Sequence, residues 1–313
     1  MRTPYAAVPE HVRAWVDRTL GSPVVTWADQ VGGMSPGCAT RVVCADGSRA
    51  FVKAVGVELN PDTPNMFRRE ALALTLLGSH PLWADLRASY DEDGWVALLL
   101  EDVEGHHPDL SDDATMRALV EATDELSRVM GERVPEPPVP APLSGGLTDT
   151  HLSYQKWATC FEHLHAVPGR LMPRWVVERA DEFRERTLAL VGHPMTQLVH
   201  WDIRNDNLVQ RPDGELVFVD WGAAGVGPDW VDPLLARLER VDRPWFDESL
   251  SSSPALVRAG DEAVTSWLVG LGAFLGWRAH VAVDVNLPTL NDFRIAESAR
   301  FLGAAARRLD LGA

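Results

Sequence analysis

One short segment combines the residue types that phosphoryl transfer requires. It runs from His200 to Asn207 as His-Trp-Asp-Ile-Arg-Asn-Asp-Asn, and Asp202 precedes Asn207 by five positions. A second acidic residue, Asp220, follows Asn207 by thirteen positions and begins the triplet Asp-Trp-Gly. In the kinase arrangement one Asp accepts the proton of the attacking hydroxyl, while an Asn and another Asp hold metal ions on the phosphates. The spacing therefore indicates a kinase-type phosphoryl-transfer site.

Lysine usage draws attention to Lys53. Of the 29 basic residues only Lys53 and Lys156 are lysine. Lys53 lies in the apolar strand pattern of residues 50–55, where an unpaired charge would be costly. In the kinase scheme a strand lysine binds the α- and β-phosphates and pairs with a helix glutamate, for which Glu70 is the candidate. The alternative is that Lys53 lies on an exposed strand face and Glu70 pairs with arginines of its own helix.

A glycine-rich segment precedes the lysine strand. Residues 32–37 read Gly-Gly-Met-Ser-Pro-Gly, and backbone N–H groups at Gly33 and Ser35 are candidates for contacts with phosphate oxygens. The segment lacks the Gly-Lys-Ser/Thr ending of a Walker A loop and does not match Gly-x-Gly-x-x-Gly. A plain surface turn is the alternative, but the position before the lysine strand favours a loop that covers a nucleotide.

Other polar residues of the catalytic segment allow two interpretations each. His200 could ligate a metal or brace the loop, and the bracing role is favoured because no second ligand follows at a suitable spacing. Arg204 and Asp206 could contact substrate or nucleotide, or they could pair with each other within a tight loop.

The composition is that of a globular enzyme with an acidic surface. The chain has 313 residues and a net charge of −16, which argues against a nucleic-acid partner and suits cationic substrates. The cysteines, Cys38, Cys44 and Cys160, have neither metal-ligand nor disulfide-framework spacing, as expected in a reducing cytoplasm. The N-terminal residues lack the apolar core of a signal peptide, and the longest uncharged stretch, 263–277, is too short to span a bilayer. We therefore expect a cytoplasmic protein without a membrane partner.

The first hundred residues have the spacing of a small sheet with flanking helices. We expect helices at 9–20 and 67–77, and strands at 24–27, 40–44, 50–55, 86–90 and 95–100. Residues 101–105, Glu-Asp-Val-Glu-Gly, interrupt this pattern and form the predicted hinge. The predicted domains are therefore an N-terminal lobe at 1–100, which binds nucleotide, and a C-terminal lobe at 106–313.

Beyond the hinge the apolar spacing is mainly helical. Helices are expected near 112–131, 154–164, 176–190, 230–239, 261–280 and 289–309. The proline-rich stretch 135–142 cannot continue a helix. An island of short strands at 197–219 interrupts the helices, so that the catalytic segment lies on loops, where functional residues are common.

With these residues in place, the chain resembles the aminoglycoside phosphotransferase and choline kinase-like family of small-molecule kinases. The resemblance covers nearly the whole chain and rests on residues 32–37, 51–55, 69–70, 200–207 and 218–222, in the family's order. It implies an α+β, bilobal protein-kinase-like fold with an N-terminal antiparallel sheet lobe and a mainly helical C-terminal lobe. The site roles implied are Asp202 as catalytic base, Asn207 and Asp220 as magnesium ligands, and Lys53 with Glu70 as the phosphate-binding pair.

The same resemblance implies the substrates. The donor would be ATP or GTP with Mg²⁺, contacted at the hinge by Glu101 and Val103, and the acceptor would be a hydroxyl-bearing small molecule. Trp201 departs from the family, whose members often have Gly there. No long segment ending in Ala-Pro-Glu follows Asp220, which argues against a protein substrate.

The acceptor itself stays open between several classes. An antibiotic leads, because the family modifies antibiotics and the acidic charge suits cations. A metabolic sugar, amino-sugar or amino-alcohol kinase is the alternative, and a nucleotide-binding scaffold without turnover is the third hypothesis. Acidic residues near predicted helix ends could contact a cationic acceptor: Asp149, Asp284, Asp292 and Glu297. The sequence does not distinguish a monomer from a dimer.

Overall fold

The computed structural model of the protein describes residues 2–31, 35–282 and 290–311. Two residues singled out by the sequence, Gly33 and Asp284, lie outside these ranges.

The strands form one large and two small sheets. They are β1 (Val24–Asp29), β2 (Cys38–Cys44), β3 (Arg49–Gly56), β4 (Leu86–Glu92), β5 (Trp95–Leu100), β6 (Thr148–Asp149), β7 (Gln197–Val199), β8 (Leu208–Gln210), β9 (Leu216–Phe218) and β10 (Gly225–Gly227). The large sheet is antiparallel with the order β1-β2-β3-β5-β4, the second has the order β6-β10-β7, and β8 pairs with β9.

Most of the described α-helices follow the large sheet in the chain. They are α1 (Glu10–Leu20), α2 (Thr63–Leu77), α3 (Asp113–Arg133), α4 (Thr150–Ala158), α5 (Arg174–Glu178), α6 (Ala180–Ala189), α7 (Val231–Arg237), α8 (Pro244–Ser249), α9 (Pro254–Ala259), α10 (Asp261–Val281) and α11 (Leu290–Arg308). Among the described residues, no helix combines the length and the apolar composition needed to cross a bilayer.

Alternation along β3 sends its side chains to two different partners. Val52 and Ala54 belong to the core cluster that also contains Val12 and Val16 of α1. Because successive strand residues point to opposite faces, Lys53 lies on the other side of the sheet. There its ammonium lies 5.1 Å from the ring centroid of Phe67, a residue of α2. Lys53 therefore lies on the face of the strand that α2 covers.

The predicted hinge is tied to the hairpin formed by β8 and β9. His106 and Gln210 exchange backbone hydrogen bonds of 3.2 and 2.8 Å. Gly105 has a φ of +154°, and a Cβ there would lie 2.2 Å from the carbonyl oxygen of Gln210. This approach requires glycine. Val103 packs with Val217 in a small apolar cluster. The predicted hinge and the residue after it are therefore both in contact with the β8–β9 hairpin.

The chain divides into two compact units, and every described residue predicted to be catalytic, nucleotide-binding or metal-binding belongs to the first. Unit 1 comprises Met1–Thr148 and Gln197–Val226, and unit 2 comprises Asp149–Thr196 and Gly227–Ala313. In unit 2, Trp267 of α10 is buried between Trp157 and Phe301, at centroid distances of 5.5 and 6.0 Å. The lobe boundaries at 1–100, 101–105 and 106–313 stay a prediction.

The structure corrects several helix and strand predictions. The pattern at 176–190 forms two helices, α5 and α6, because Arg179 leaves helical geometry with a φ of −114° and a ψ of 25°. Helix α4 ends at Ala158, and residues 159–166 continue as a 3₁₀ helix. The short elements β6, β10, α8 and α9 were not predicted, since two to six residues carry too little periodicity to stand out.

Candidate active site

Lys53 forms two ion pairs at the centre of the site. Its Nζ atom donates to Glu70 Oε2 at 2.5 Å and to Asp220 Oδ1 at 2.9 Å. Lys53 is buried on β3 and Glu70 is buried on α2. The alternative of an exposed lysine, with Glu70 paired to its own helix, is therefore wrong. The fold thus brings Lys53 and Asp220, which are 167 residues apart in the sequence, into direct contact.

The opposite charges of Lys53 and Asp220 favour the ionised form of both groups, whereas burial raises the pKa of Glu70. Burial alone would lower the pKa of Lys53, but the carboxylates of Asp220 and Glu70 outweigh burial and raise it. Burial alone would raise the pKa of Asp220, but the Lys53 ammonium outweighs burial and lowers it. Lys53 therefore stays an ammonium and Asp220 a carboxylate at neutral pH.

The β8–β9 hairpin brings the other motif residues together. Leu208 pairs with Phe218 in the ladder, and the N–H of Val219 donates to the carbonyl oxygen of Asn207 at 2.9 Å. The two strand ends are therefore adjacent, and Asp220 follows Val219 directly. A single turn of 3₁₀ helix at Asn205–Asn207 joins the catalytic loop to β8.

Asn207 holds the carboxylate of Asp202. Its Nδ2 atom donates to the backbone oxygen of Asp202 at 2.8 Å and to Oδ2 at 2.9 Å. The amide oxygen, which is the acceptor atom of the buried Asn207 side chain, takes no part in these two hydrogen bonds. Asn207 is thus oriented by Asp202, with its oxygen available to a cation.

Arg204 lies beside the same carboxylate. Its Nε atom is 3.3 Å from Asp202 Oδ1, and its Nη2 atom donates to Asp206 Oδ2 at 2.9 Å. The pairing of Arg204 with Asp206, one of the two interpretations from the sequence, is observed. In addition, the guanidinium contacts Asp202, which the sequence did not indicate.

The environment of Asp202 raises its pKa to about 6, chiefly through burial and also through the negative charges of Asp220 and Asp206. Arg204 and the hydrogen bond from Asn207 act in the opposite direction. The side chain keeps 38% of its surface exposed. At neutral pH it is mainly ionised, and it is a stronger base than an ordinary aspartate because its pKa lies closer to neutrality.

His200 braces the catalytic loop through contacts with Val219 and Asp202. The ring is fully buried, and its Nε2 atom is 3.1 Å from the carbonyl oxygen of Val219. The N–H of Asp202 approaches Nδ1 at 3.4 Å. Burial lowers the pKa of His200 to about 4, so the neutral ring can donate from Nε2 and accept at Nδ1. Its ring lies 4.6 Å from that of Trp221. These contacts support the bracing role.

Two residues beside the predicted catalytic groups have left-handed backbone. Trp201 has a φ of 66°, and Asp220 has a φ of 64° with a ψ of 67°. Such conformations cost about 1–3 kcal/mol for residues other than glycine and concentrate at functional sites. Asp tolerates this region better than a bulky residue does. Glycine would adopt the backbone conformation of Trp201 without strain. The family that the sequence resembles often has Gly at this position.

The remaining residues predicted to contact the nucleotide interact with other residues of the chain. The hydroxyl of Ser35 accepts from the N–H of Gly37 at 3.2 Å. Glu101 Oε1 accepts from Arg211 Nη2 at 2.8 Å. The Val103 side chain packs with Ala84 in an apolar cluster. Nucleotide binding at Ser35, Glu101 and Val103 stays a prediction, and Gly33 lies outside the described residues.

Arg69 contacts the Asp-Trp-Gly triplet, although no role of its own was predicted for it from the sequence. It lies next to Glu70 on α2, and its Nη1 atom donates to the carbonyl oxygen of Gly222 at 2.8 Å. It shares the buried face of α2 with Ala73 and Leu77, at intervals of four residues. A guanidinium on an otherwise apolar helix face was the available signal.

Comparison with known proteins agrees with the geometry. A model of the "Phosphotransferase enzyme family" matches residues 49–277. No curated protein sequence matches the chain.

Solved structures of several kinases have a similar fold. Choline kinase LicA from Streptococcus pneumoniae is 15% identical with a TM-score of 0.59, covering 94% of this chain and 99% of that one. An aminoglycoside phosphotransferase from Alicyclobacillus acidocaldarius is 12% identical with a TM-score of 0.54, covering 92% of each chain. Macrolide 2'-phosphotransferase MphH from Brachybacterium faecium is 16% identical with a TM-score of 0.51, covering 94% and 98%. The predicted α+β, protein-kinase-like fold is confirmed.

Proposed function

This chain belongs to the phosphotransferase enzyme family, and from that premise we propose that it transfers phosphate from ATP or GTP to a hydroxyl of a small molecule. The observation that carries the proposal is the contact network in unit 1 that joins Lys53 to Glu70 and Asp220, and Asn207 to Asp202. Membership also confirms the family resemblance read from the sequence. The chain is accordingly a small-molecule kinase.

In the proposed reaction Asp202 accepts the proton of the acceptor hydroxyl. Its carboxylate is held by Asn207 and contacted by Arg204, which fixes the direction from which it can accept. Proton transfer to a positioned carboxylate makes the hydroxyl oxygen a better nucleophile as the bond to phosphorus forms. The raised pKa of Asp202 suits this role.

Lys53 is proposed to bind the phosphates of the donor. The ammonium is a compact point charge whose stem is fixed by β3, and Glu70 fixes its head. Asp220 holds the same ammonium while its other oxygen is available, and its side chain is 46% exposed. The Lys53 ammonium is therefore held in position before the donor arrives, which lowers the reorganisation needed on binding.

The donor atoms around Asn207 and Asp220 fit a magnesium ion that is shared with phosphates. One carboxylate oxygen and one amide oxygen are hard ligands of the kind that Mg²⁺ prefers. Among the described residues no group of three or more His, Cys, Asp or Glu side chains could hold a metal alone. A site with the Asp220 carboxylate and the Asn207 amide oxygen as its protein ligands agrees with Mg²⁺, which is usually bound by one or two carboxylates together with substrate phosphates. When bound, Mg²⁺ supplies positive charge that offsets the charge of the phosphoryl oxygens.

For the acceptor we propose a cationic antibiotic of the aminoglycoside type. The support is the net charge of −16, which attracts cations, together with the antibiotic kinases among the proteins of similar fold. The acidic residues considered from the sequence contribute little to this choice. Asp149 caps α4 by accepting from Leu152 N at 3.1 Å, and Glu297 pairs with Arg300 at 2.8 Å.

The test is ATP-dependent or GTP-dependent phosphorylation of a mixed panel, read by mass spectrometry for added phosphate. The panel contains aminoglycosides, macrolides, choline, amino sugars, sugars and nucleosides. We expect phosphate on an aminoglycoside hydroxyl, with an acceptor KM that rises with ionic strength, because salt screens attraction between exposed charges. Exclusive phosphorylation of choline or a sugar would replace the antibiotic proposal with a metabolic one. Nucleotide binding without any phosphorylated acceptor would favour the scaffold.

A conservative substitution tests the role of Lys53. We expect Lys53→Arg to raise the KM for the nucleotide by about 10-fold or more, although the charge is kept. A planar guanidinium cannot replace a point charge held between two carboxylates. Steady-state kinetics against nucleotide concentration provide the measurement. Lys156→Arg, at the other lysine of the chain and on the exposed surface of α4, is the matched control. Unchanged nucleotide kinetics in Lys53→Arg would exclude the phosphate-binding role.

The expected cytoplasmic location also stays a proposal. Cys38, Cys44 and Cys160 are free and buried, as expected for a protein that is kept in a reducing compartment.

A further inference from the structure

Arg69 donates hydrogen bonds to three main-chain carbonyls and joins two loops to α2. Its Nε atom donates to Gly146 at 2.7 Å, its Nη2 atom to Pro142 at 3.1 Å, and its Nη1 atom to Gly222 at 2.8 Å. Gly222 ends the Asp-Trp-Gly triplet that Asp220 begins. All of these residues belong to unit 1.

The guanidinium is buried without a carboxylate to pair with it. Arg69 is 9% exposed, and among the described residues none forms an ion pair with it. Burial lowers the pKa of Arg69. Burying a charge is unfavourable unless hydrogen bonds satisfy it. Here three carbonyl oxygens do so, and these contacts hold the loops in place. A charge kept at such a position, where an apolar side chain would suit the helix face better, indicates a specific role.

The contact with Gly222 belongs to a network of contacts around Asp220. Lys53 contacts both Glu70 and Asp220. The backbone of Trp221 interacts with the Glu70 carboxylate and opposes the rise of its pKa that burial causes. Arg69, the neighbour of Glu70 on α2, holds the carbonyl of the next residue. Two successive side chains of α2 therefore interact with Trp221 and Gly222, two successive residues of the triplet.

Asp220 needs such support because its own backbone is strained. It has a φ of 64°, a conformation that persists only where the surroundings impose it. Its side chain is 46% exposed, so packing alone does not fix it. The ion pair with Lys53 holds the carboxylate, and the hydrogen bond from Arg69 to Gly222 holds the main chain that follows.

We propose that Arg69 is a positioning residue, which fixes the main chain after Asp220 so that this carboxylate is held ready for the metal–nucleotide complex. The inference rests on the proposed function of Asp220 as a metal ligand. Arg69 itself touches no reacting group in this scheme. It acts through Gly222, and its loss should be felt as weaker binding of the metal complex rather than as loss of the base.

The test compares Arg69→Lys and Arg69→Met with the wild type by calorimetry of ATP binding, once with Mg²⁺ and once in chelator. Loss of residues that orient a metal ligand typically lowers metal affinity by about 10–100-fold. We therefore expect both variants to weaken ATP binding in Mg²⁺ by about 10-fold or more. ATP binding in chelator should change less than about twofold, because Lys53 and Glu70 remain. The Mg²⁺ concentration for half-maximal activity should rise in parallel.

Arg68→Lys is the matched control. Arg68 precedes Arg69 on α2, and its guanidinium makes two hydrogen bonds of 2.8 Å to the carboxylate of Asp91. Its hydrogen bonds go to Asp91 and Asn65 and not to the triplet, so its variant should bind ATP with and without Mg²⁺ as the wild type does.

A purely structural role for Arg69 predicts a different result. Thermal unfolding would shift, but the folded fraction of Arg69→Lys would show wild-type ATP affinity in Mg²⁺, and this would overturn the inference. Arg69→Lys keeps the long stem and the charge, so it remains informative if Arg69→Met does not fold. Failure of the wild type itself to bind ATP more tightly with Mg²⁺ would instead contradict the proposed function.

Discussion

Asp202→Asn is expected to lower kcat by about 10²–10⁴-fold while nucleotide affinity stays within a few-fold of the wild type. The substitution preserves shape, and the amide oxygen can still accept the hydrogen bond that Asn207 donates at 2.9 Å. An amide cannot accept the acceptor's proton at neutral pH, so the chemical step loses its base. Single-turnover rates and calorimetric ATP affinity, measured on the same preparation, separate the chemical step from binding.

Asp206→Asn is the control for the loss of charge in this loop. Asp206 is exposed and pairs with the same Arg204 at 2.9 Å, but it does not contact Asn207 in the way that Asp202 does. We expect its kcat to stay within a few-fold of the wild type. Near-wild-type phosphate transfer by Asp202→Asn would show that another group takes the proton. Equal losses in both variants would assign the effect to the charge of the loop.

Much of the fold was accessible from the sequence because its elements leave periodic signals. Strand β5 was predicted with its observed limits, since six apolar residues follow a turn with Asp93 and Gly94. Helix α2 begins earlier than predicted, at Thr63, because Pro64 is compatible with the first helical turn although it interrupts the apolar spacing. The strands β6 and β10 are defined by backbone pairing alone, which no local residue pattern encodes.

The site was partly accessible for the same reason. The spacing of Asp202 and Asn207 is local, because five residues of one loop suffice to bring their side chains into contact. The ion pair of Lys53 with Asp220 is remote in sequence, and the sequence analysis paired Lys53 with Glu70 alone.

The role proposed for Arg69 was not accessible from the residues. Its acceptors are main-chain carbonyls, and a carbonyl is the same chemical group at every position. No residue type at positions 142, 146 or 222 therefore announces that a guanidinium will bind there. Likewise, the left-handed backbone of Trp201 is invisible in the sequence, since a bulky residue is an unusual choice for that conformation.

Removal of the metal should abolish phosphate transfer, and Asp220→Asn should reproduce most of that loss. Chelator is expected to stop activity, and Mg²⁺ or Mn²⁺ should restore it. Asp220→Asn keeps an oxygen atom at the site but removes its negative charge, so its affinity for a divalent cation falls. A loss of several kcal/mol in transition-state stabilisation corresponds to roughly 10³-fold in kcat/KM. The measurement is activity across a wide range of Mg²⁺ concentration.

Two comparisons separate metal binding from the other role of Asp220. Its Oδ1 atom also accepts from Lys53, so Asp220→Asn weakens that pair, although Lys53 keeps Glu70 at 2.5 Å. If the ion pair were the whole role, excess Mg²⁺ would leave the defect unchanged. If Asp220 binds metal, high Mg²⁺ should recover part of the activity. Asp213→Asn, in the exposed turn of the same hairpin, is the control for surface charge and should keep the wild-type Mg²⁺ dependence. A wild-type Mg²⁺ dependence in Asp220→Asn would remove this residue from the metal site.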